Sequence, residues 1–184
     1  MKDELLWSGL ISNLFYSTAY PVVHTVTVKN LDSRLLSVSS LISCILVIVV
    51  NKIWIGKSEK LYKKFGFMLF FESFLYFIVL TMILTKTITP QTYYIIDVLL
   101  FSSITRSVIC GGNRLKSIRY QGKSREEFDN KIVIYCNIAS VIGYAVSSIL
   151  KIPINIAFLI MYVGIISDNF IYYFIYKKTS KIYD

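Results

Sequence analysis

Apolar and polar residues alternate along this chain in long blocks, and six of the apolar blocks are long enough to cross a bilayer as helices. A helical span needs about 20 mostly apolar residues, because backbone polar groups in lipid must hydrogen-bond within the segment. The predicted spans cover residues 5–28, 35–55, 65–85, 92–111, 131–150 and 154–176. We therefore expect an all-α polytopic membrane protein in which residues 1–184 form one six-helix domain.

Composition agrees with a membrane environment. Hydrophobic residues make up 55% of the 184 residues, against about 45–50% in soluble domains even when glycine is counted. The formal net charge of +9 would suit nucleic acid, but the basic residues fall between the apolar blocks. We interpret them as signals of membrane topology, and we expect the lipid bilayer as a partner and no nucleic acid.

Basic residues collect on alternate connections between the predicted spans. Of the 20 Lys and Arg residues, 15 lie at the two ends of the chain or in the second and fourth connections. They are Lys2, Lys52, Lys57, Lys60, Lys63, Lys64, Arg114, Lys116, Arg119, Lys123, Arg125, Lys131, Lys177, Lys178 and Lys181. Because cytoplasmic loops are enriched in Lys and Arg, we expect a multi-pass protein of the plasma (inner) membrane with both termini in the cytoplasm.

Four charged residues lie more than one turn from either end of a predicted span, where ionisable groups are costly and usually functional. Glu72 in the third span and Arg106 in the fourth have equal depth, which predicts an ion pair, either a structural contact or a gating or proton-coupled one. Asp168 in the sixth span has a similar depth and is the alternative partner of Arg106. Asp97, near the start of the fourth span, is expected to reach the outer interface.

The first span carries a polar and aromatic stripe. Asn13, Tyr16, Tyr20 and His24 are spaced three or four residues apart and therefore share one helix face. Pro21 removes a backbone hydrogen bond within the span, and broken helices at membrane depth tend to line cavities. We predict that this stripe faces the substrate. His24, the only histidine, is a candidate for proton coupling.

Motifs for soluble enzyme chemistry are incomplete. Gly-Lys-Ser occurs at residues 56–58 and 122–124, but Asn51 and Ser117 stand where a nucleotide-binding loop needs its first glycine. Three cysteines without a Cys-x-x-Cys pair make neither a disulfide framework nor a zinc site. A single histidine cannot assemble a metal site either. We expect no enzyme activity, no cofactor and no metal.

The second connection carries the sequence "KSEKLYKKFG" at residues 57–66. Its charged residues match the Asp, Arg, Arg and Lys of a Gly-x-x-x-Asp-Arg-x-Gly-Arg-Lys signature, with Tyr62 in place of the second glycine. The matching residues are Glu59, Lys60, Lys63 and Lys64. The stretch from the fourth span into the fifth, with Arg106 followed by Gly111 and Gly112, is also similar. This layout resembles the N-terminal six-helix half of a major facilitator superfamily transporter.

The resemblance implies a function and a partner. Family members enclose a midplane site between two six-helix halves, so this chain would act as a homodimer or with a second six-helix chain. The implied activity is transport of a small molecule or ion by alternating access, with protons as a candidate coupling ion and residues 59–64 as a cytoplasmic gate loop. The alternative is a non-catalytic six-helix module, either the substrate-binding subunit of an energy-coupled importer or an immunity or accessory protein. A small-residue docking face on the first helix would favour the importer subunit.

Overall fold

The computed structural model describes residues 4–29 and 31–183, and this part of the chain is helical without any strand. Its elements, in order, are α1 (Glu4–Lys29), α2 (Ser33–Trp54), α3 (Ser58–Lys63), α4 (Phe65–Leu84), α5 (Pro90–Leu100), a π-helical turn (Phe101–Thr105), α6 (Arg106–Arg119), α7 (Lys123–Ile149) and α8 (Ile154–Tyr183). The predicted all-α class is confirmed. Each predicted span falls within one helical stretch, except that the last residue of three spans, at positions 55, 85 and 150, lies just outside a helix. α5, the π turn and α6 form a single unbroken stretch.

Five helical segments are long and apolar enough to cross a membrane. They are Ser33–Trp54, Phe65–Leu84, Gln91–Arg119, Lys123–Ile149 and Ile154–Lys181. The protein is therefore a helical membrane protein, as its pattern of apolar blocks predicted. α1 has 26 residues and comparable length, but its serines, threonines, Asn13 and His24 make it less apolar than these five. It also runs unbroken through Pro21, whereas the sequence led us to expect a break there.

Two connections at one end of the bundle differ in form. The second contains the short helix α3, which follows a turn at Gly56 with φ 72° and is anchored by the buried Leu61. The fourth contains no separate surface helix, because α6 and α7 extend toward each other and leave only residues 120–122 outside helices. Gly122 makes that reversal possible with a φ of 51°, a conformation that glycine adopts without steric cost.

The helices interlock as two groups of three. The first group is α1, α2 and α4, and the second is the α5–α6 stretch, α7 and α8. The first helix of each group packs against the second and third helices of the other group: α1 lies against α7 and α8, and α5–α6 lies against α2 and α4. α4 and α8, the third helices, pack against each other. Because the first helix of each group packs against the other group, neither group has a hydrophobic core of its own. The two groups together therefore make one domain.

Small residues let the backbones approach closely, as is usual where membrane helices pack. A Cβ placed on Gly143 of α7 would lie 2.7 Å from Ser17 Cβ and 2.9 Å from the backbone nitrogen of Thr18, both on α1. A Cβ on Gly164 of α8 would lie 2.6 Å from Phe15 Cβ, again on α1. α1 is thus held between two helices that each contact it through a glycine.

Ion pairs bring separate parts of the chain to the same end of the bundle. Glu4 on α1 lies 3.9 Å from Arg119 on α6 and 3.6 Å from Lys178 on α8. The hydroxyl of Tyr176 donates a hydrogen bond to the backbone oxygen of Lys63 just beside α4. We call this the basic end of the bundle. The other end holds the connections at Lys29, residues 85–89 and residues 150–153.

Two apolar clusters fill the bundle, one toward each end. The cluster at the basic end contains Leu5, Phe65, Leu69, Leu115, Tyr120, Phe128 and Ile175. The other contains Ala19, Val23, Tyr76, Val79, Leu80, Ile83, Tyr93, Ala157, Phe158, Met161 and Tyr162. Between them the helices bring polar side chains together at mid-height, and this layer contains the candidate site.

Candidate functional site

A cavity of about 280 Å³ lies in the middle of the bundle, with walls from α1, α4, α5, the π turn, α6 and α8. Both three-helix groups contribute to it. Its polar lining includes Ser12, Glu72, Asp97, Thr105, Asp168 and Asn169, and its aromatic lining includes Tyr16, Tyr20, Tyr76, Tyr93, Tyr94 and Phe101. Since buried polar groups are costly unless partnered, their concentration around one empty volume marks this cavity as the candidate site.

The wall formed by α1 contains three of the four residues of the predicted stripe. The rings of Tyr16 and Tyr20 stack with centroids 4.9 Å apart, and the ring of His24 lies 5.2 Å from that of Tyr20. All three residues line the cavity. Asn13 turns toward α7 instead, where its Nδ2 donates to the backbone oxygen of Cys136 at 3.2 Å and its Oδ1 accepts from Ser140 at 3.3 Å. Asn13 therefore joins α1 to α7 and does not line the cavity.

Glu72 is the most deeply placed charged group at the site, with a relative exposure of 2%. Its Oε2 accepts a hydrogen bond of 2.8 Å from Asn169 Nδ2, which also donates to Ser73 Oγ at 3.2 Å. Its Oε1 is buried and makes no hydrogen bond of normal geometry within the described part of the chain. The nearby Thr105 hydroxyl is bonded to the hydroxyl of Tyr76 at 3.0 Å. Oε1 thus has no hydrogen bond of normal geometry, although the Thr105 hydroxyl can turn to it when it accepts from Tyr76.

Asp168 lies next to Asn169 on α8 and also lines the cavity. Its Oδ1 accepts a hydrogen bond from the hydroxyl of Ser8 on α1. This contact and the one between Glu72 and Asn169 tie α8 to α1 and α4 at about the same height. The residues that border the cavity therefore also hold three of its walls together.

Arg106 does not form the ion pair expected from its depth. Its Nε donates a hydrogen bond of 3.0 Å to Asn51 Oδ1 on α2, and no described carboxylate, including Glu72 and Asp168, lies within ion-pair distance of it. Equal depth brought Arg106 and Glu72 to the same layer, but it does not determine which way each side chain leaves its helix. Arg106 follows the π turn directly and faces α2, away from the cavity.

Asp97 lies at the cavity and not at the outer interface where the sequence placed it. α5 begins at Pro90, so Asp97 is about two turns inside the helix. It is half-buried and lines the cavity together with Tyr93, which is four residues earlier on the same face. Within the described residues, Asp97 forms no ion pair with a Lys or Arg. The cavity therefore has a third carboxylate that the sequence analysis assigned elsewhere.

The predicted gate loop forms α3 at the basic end. Glu59 Oε1 lies 3.1 Å from Arg114 Nη2 on α6. Lys60, Lys63 and Lys64 are exposed, and α3 packs against both α4 and α6. The loop is thus attached to the helix that continues from the π turn, and Arg114 lies about 7.5 Å along that helix from the cavity-lining Ile109.

Tyr76 and Tyr93 are among the lining residues that the sequence analysis missed, and one of these two had a usable signal. Tyr76 follows Glu72 by four residues and therefore shares its face of α4. Tyr93 has no such signal, because a tyrosine near a helix start is equally typical of the membrane interface. Both are almost fully buried, at 3% and 4% exposure. Within the described residues, no three His, Cys, Asp or Glu side chains are close enough together to hold a metal ion.

Comparisons of the chain with known protein families, with curated proteins and with solved structures give no match.

Proposed function

We propose that this protein is a half-size membrane transporter that moves a small solute by alternating access and acts as a homodimer. The observation that carries the proposal is the central cavity: a partly open, aromatic and polar volume at mid-height, with walls from both three-helix groups. Transporters of the facilitator type bind their substrates near the midplane, between repeats. A purely structural bundle would instead fill this layer with apolar side chains, because unpaired polar groups there are costly.

In this proposal all six long helices cross the membrane. α1 is the sixth span, although it is the least apolar of them. Its 26 residues give a length of about 39 Å, enough for a hydrocarbon core of about 30 Å. It packs against α7 and α8, so its polar residues face neighbours and the cavity. A helix shielded in this way does not need an apolar surface.

The basic end of the bundle is then the cytoplasmic end. It gathers the start of α1, α3, the turn between α6 and α7, and the last turns of α8. These segments carry most of the basic residues, and short cytoplasmic loops are the ones enriched in Lys and Arg. Both termini would therefore be cytoplasmic, in the plasma (inner) membrane.

The exchanged packing of the two three-helix groups supports the resemblance to one half of a facilitator. Repeats related by a pseudo-two-fold axis in the membrane plane are typical of that architecture. Here α1 and the α5–α6 stretch occupy equivalent positions in the two groups, and both line the cavity. In the same scheme α3 is the cytoplasmic gate, and the contact between Glu59 and Arg114 links it to a cavity-lining helix.

The two middle helices of the groups are the proposed dimer contacts. α2 buries only Ser39 and Val50, and α7 only Phe128, Ala139 and Gly143, whereas α4 buries eight residues. Their outer faces carry Leu41, Ile45, Ile48, Ile134, Ile138 and Val141, all about half exposed or more. A second copy placed against α2 and α7, neither of which lines the central cavity, would complete the pair of six-helix units that makes up a full-length facilitator.

The importer-subunit alternative is less well supported. It calls for small residues on the outside of α1 as a docking face. Ser8, Ser17 and Ala19 are instead buried, and Ser8 and Ser17 contact α8 and α7 within the same chain. These residues are used inside the bundle and are not free to receive another subunit.

Disulfide cross-linking tests the dimer. With Cys110 and Cys136 replaced by alanine, native Cys44 on α2 is paired with Ile138→Cys on α7, each 11 residues from the helix end opposite the basic end. We expect an oxidised band of twice the monomer mass in membranes. The control replaces Ile138→Cys by Phe74→Cys, an equally exposed position on α4, and should stay monomeric. A monomer with both pairs would refute the homodimer.

Side-specific labelling tests alternating access. Ile165 lines the cavity, and Ile165→Cys in a background without other cysteines reports whether water reaches it. A transporter should be labelled by an impermeant maleimide from each face, in right-side-out and in inverted vesicles. Labelling from one face only, or from neither, would contradict the proposed cycle.

A further inference from the structure

Apart from His24 on α1, the cavity has only acidic side chains as charged groups in its lining. Its lining contains three carboxylates, those of Glu72, Asp97 and Asp168, and neither a lysine nor an arginine. Arg106, the basic residue nearest in sequence to the lining, is turned to Asn51 on α2. Lys116 on α6 is an electrostatic neighbour of Asp168 on the side of the basic end, but it is not among the residues that line the cavity. An anionic solute would meet repulsion on three sides of this volume.

One of these carboxylates is built to receive a ligand. Glu72 is 2% exposed, and Asn169 holds its Oε2 at 2.8 Å, which fixes the direction of the group. The other oxygen, Oε1, is buried without a hydrogen-bond partner of normal geometry among the described residues. A buried acceptor left open in this way is costly unless a ligand completes it. Glu72 therefore gives a second observation, independent of the number of acidic residues, that a ligand with a hydrogen-bond donor, such as an ammonium group, fits here.

The aromatic walls fit the same type of ligand. Tyr16 and Tyr20 present stacked rings on the α1 side, and Tyr76 and Tyr93 come from the opposite helices. Cations within about 6 Å of an aromatic ring are attracted by its negative face, and cages of this kind recognise quaternary ammonium groups. Apolar parts of a ligand would also pack against these rings.

A bare metal ion fits less well than an organic cation. No three metal-binding side chains within the described ranges are close enough to share one ion. The volume of about 280 Å³ is near the lower end of small-molecule sites, which begin at about 300 Å³. Dispersed carboxylates, aromatic walls and this size together call for a small molecule that is positive and partly apolar.

We propose that the central cavity binds a small protonated amine with an apolar portion, whose N–H groups can donate to the oxygen of Glu72 that lacks a normal hydrogen-bond donor. Glu72 and Asp97 supply the charge, and Tyr16 and Tyr20 supply the aromatic face. As a statement about binding, the inference stands on the cavity itself. As a statement about the transported substrate, it rests on the proposed function.

Binding is tested with the intact protein in nanodiscs of neutral lipid, using radiolabelled 2-phenylethylamine, which is protonated at neutral pH, as probe and empty discs as blank. We expect saturable binding. 2-Phenylethanol, which has nearly the same shape and is neutral, should compete at least about tenfold less well. The anion 3-phenylpropanoate should not compete. No saturable binding of the probe, or equal competition by the neutral compound, would overturn the proposal.

Variants locate the bound charge. Glu72→Gln keeps an oxygen for the Asn169 hydrogen bond, so it preserves the fold while it removes the charge, and Asp97→Asn removes the second one. Each should weaken probe binding by about tenfold or more, as expected for opposite charges a few ångströms apart in a protein interior. Glu127→Gln, an exposed carboxylate on α7, is the matched control and should bind as the wild type does. Equal affinity in Glu72→Gln, Asp97→Asn and the control would refute the assignment.

The aromatic contribution has its own matched pair. Tyr20→Phe keeps the ring and should retain binding, whereas Tyr20→Leu removes it and should weaken binding several-fold. The same affinity in both variants would contradict the role of the ring.

Failure of this inference is also distinguishable from failure of the proposed function. If the probe binds but is not taken up into proteoliposomes, the protein is a cation-binding membrane module. If the dimer cross-links and Ile165→Cys is labelled from both faces, but the probe does not bind, the protein is a transporter of another substrate class.

Discussion

Gly143 on α7 provides the sharpest test of how the bundle is packed. The substitution Gly143→Ala would place a Cβ 2.7 Å from Ser17 Cβ, 2.9 Å from the nitrogen of Thr18 and 3.0 Å from the oxygen of Leu14. Two of these three atoms belong to the backbone of α1. They cannot rotate out of the way as a side chain could, so α1 and α7 must move apart.

The expected cost follows from three contributions. Overpacking of this kind destabilises proteins by about 1–3 kcal/mol. Separation of the helices would also stretch the hydrogen bonds from Asn13 to Cys136 and from Ser17 to Ser140, both 3.2 Å long, and such bonds are worth about 0.6 kcal/mol each in membrane proteins. Alanine recovers about 1 kcal/mol relative to glycine through helix propensity. The free energy of unfolding should therefore fall by about 1–3 kcal/mol.

The assay is reversible unfolding in mixed micelles, with the midpoint of thermal unfolding as a second measure. Gly112→Ala on α6 is the control, because its Cβ would be 3.4 Å from Tyr172, an ordinary van der Waals distance, and should leave the protein equally or more stable. If Gly143→Ala were as stable as the wild type, or if the two variants changed alike, the close approach of α1 and α7 would be refuted.

Three further substitutions test single contacts. Asn51→Leu removes the oxygen that accepts from Arg106 and should lower the free energy of unfolding by about 1–3 kcal/mol. Asn51→Asp keeps an acceptor and should not lower it. Equal unfolding midpoints in the two variants would contradict the contact. Glu59→Gln breaks an exposed pair with Arg114 and should cost less than about 1 kcal/mol at low salt and nothing measurable at high salt; a larger or salt-insensitive loss would mean that α3 is held differently. Pro21→Ala restores a backbone hydrogen bond inside α1 and should raise the unfolding midpoint, by up to about 3 kcal/mol of stability; a lower midpoint would show that the proline is required by its neighbours.

The pattern of apolar residues was sufficient to predict where the helices lie, but not which neighbouring helix each side chain contacts. Blocks of apolar residues fixed where each helix lies, because lipid leaves the backbone no alternative to helix. Spacing also placed Tyr16, Tyr20 and His24 on one face of α1. Asn13 shares that spacing, yet it bonds to α7, because a helical repeat does not reveal which neighbour covers each edge of a face.

Depth was equally incomplete as a guide to pairing. The order of residues along a span gives the height of Glu72 and Arg106, and that height is correct, but the direction of each side chain depends on rotation about the helix axis. A π turn has no sequence signature in a single chain, so the rotation of everything after it cannot be read from a repeat of 3.6. The site at Asp97 was missed for a related reason: a carboxylate near a helix start is compatible with the interface, and only packing shows that α1 and α4 enclose it.

The π-helical turn at Phe101–Thr105 has a consequence for the phase of the long helix that contains it. Successive α-helical residues are about 100° apart, so the extra residue of a π turn offsets the second half of the helix by about that angle. α5 and α6 therefore belong to one continuous helix, but α6 is rotated about the helix axis relative to the orientation that an uninterrupted α-helix would give it. Deleting one residue of the turn would rotate α6 as a unit, drawing Arg106 away from Asn51 while leaving Asp97 in place. A one-residue length change here would therefore exchange the neighbours of Arg106 and of the cavity-lining Val108 and Ile109, while the wall formed by α5 keeps Asp97.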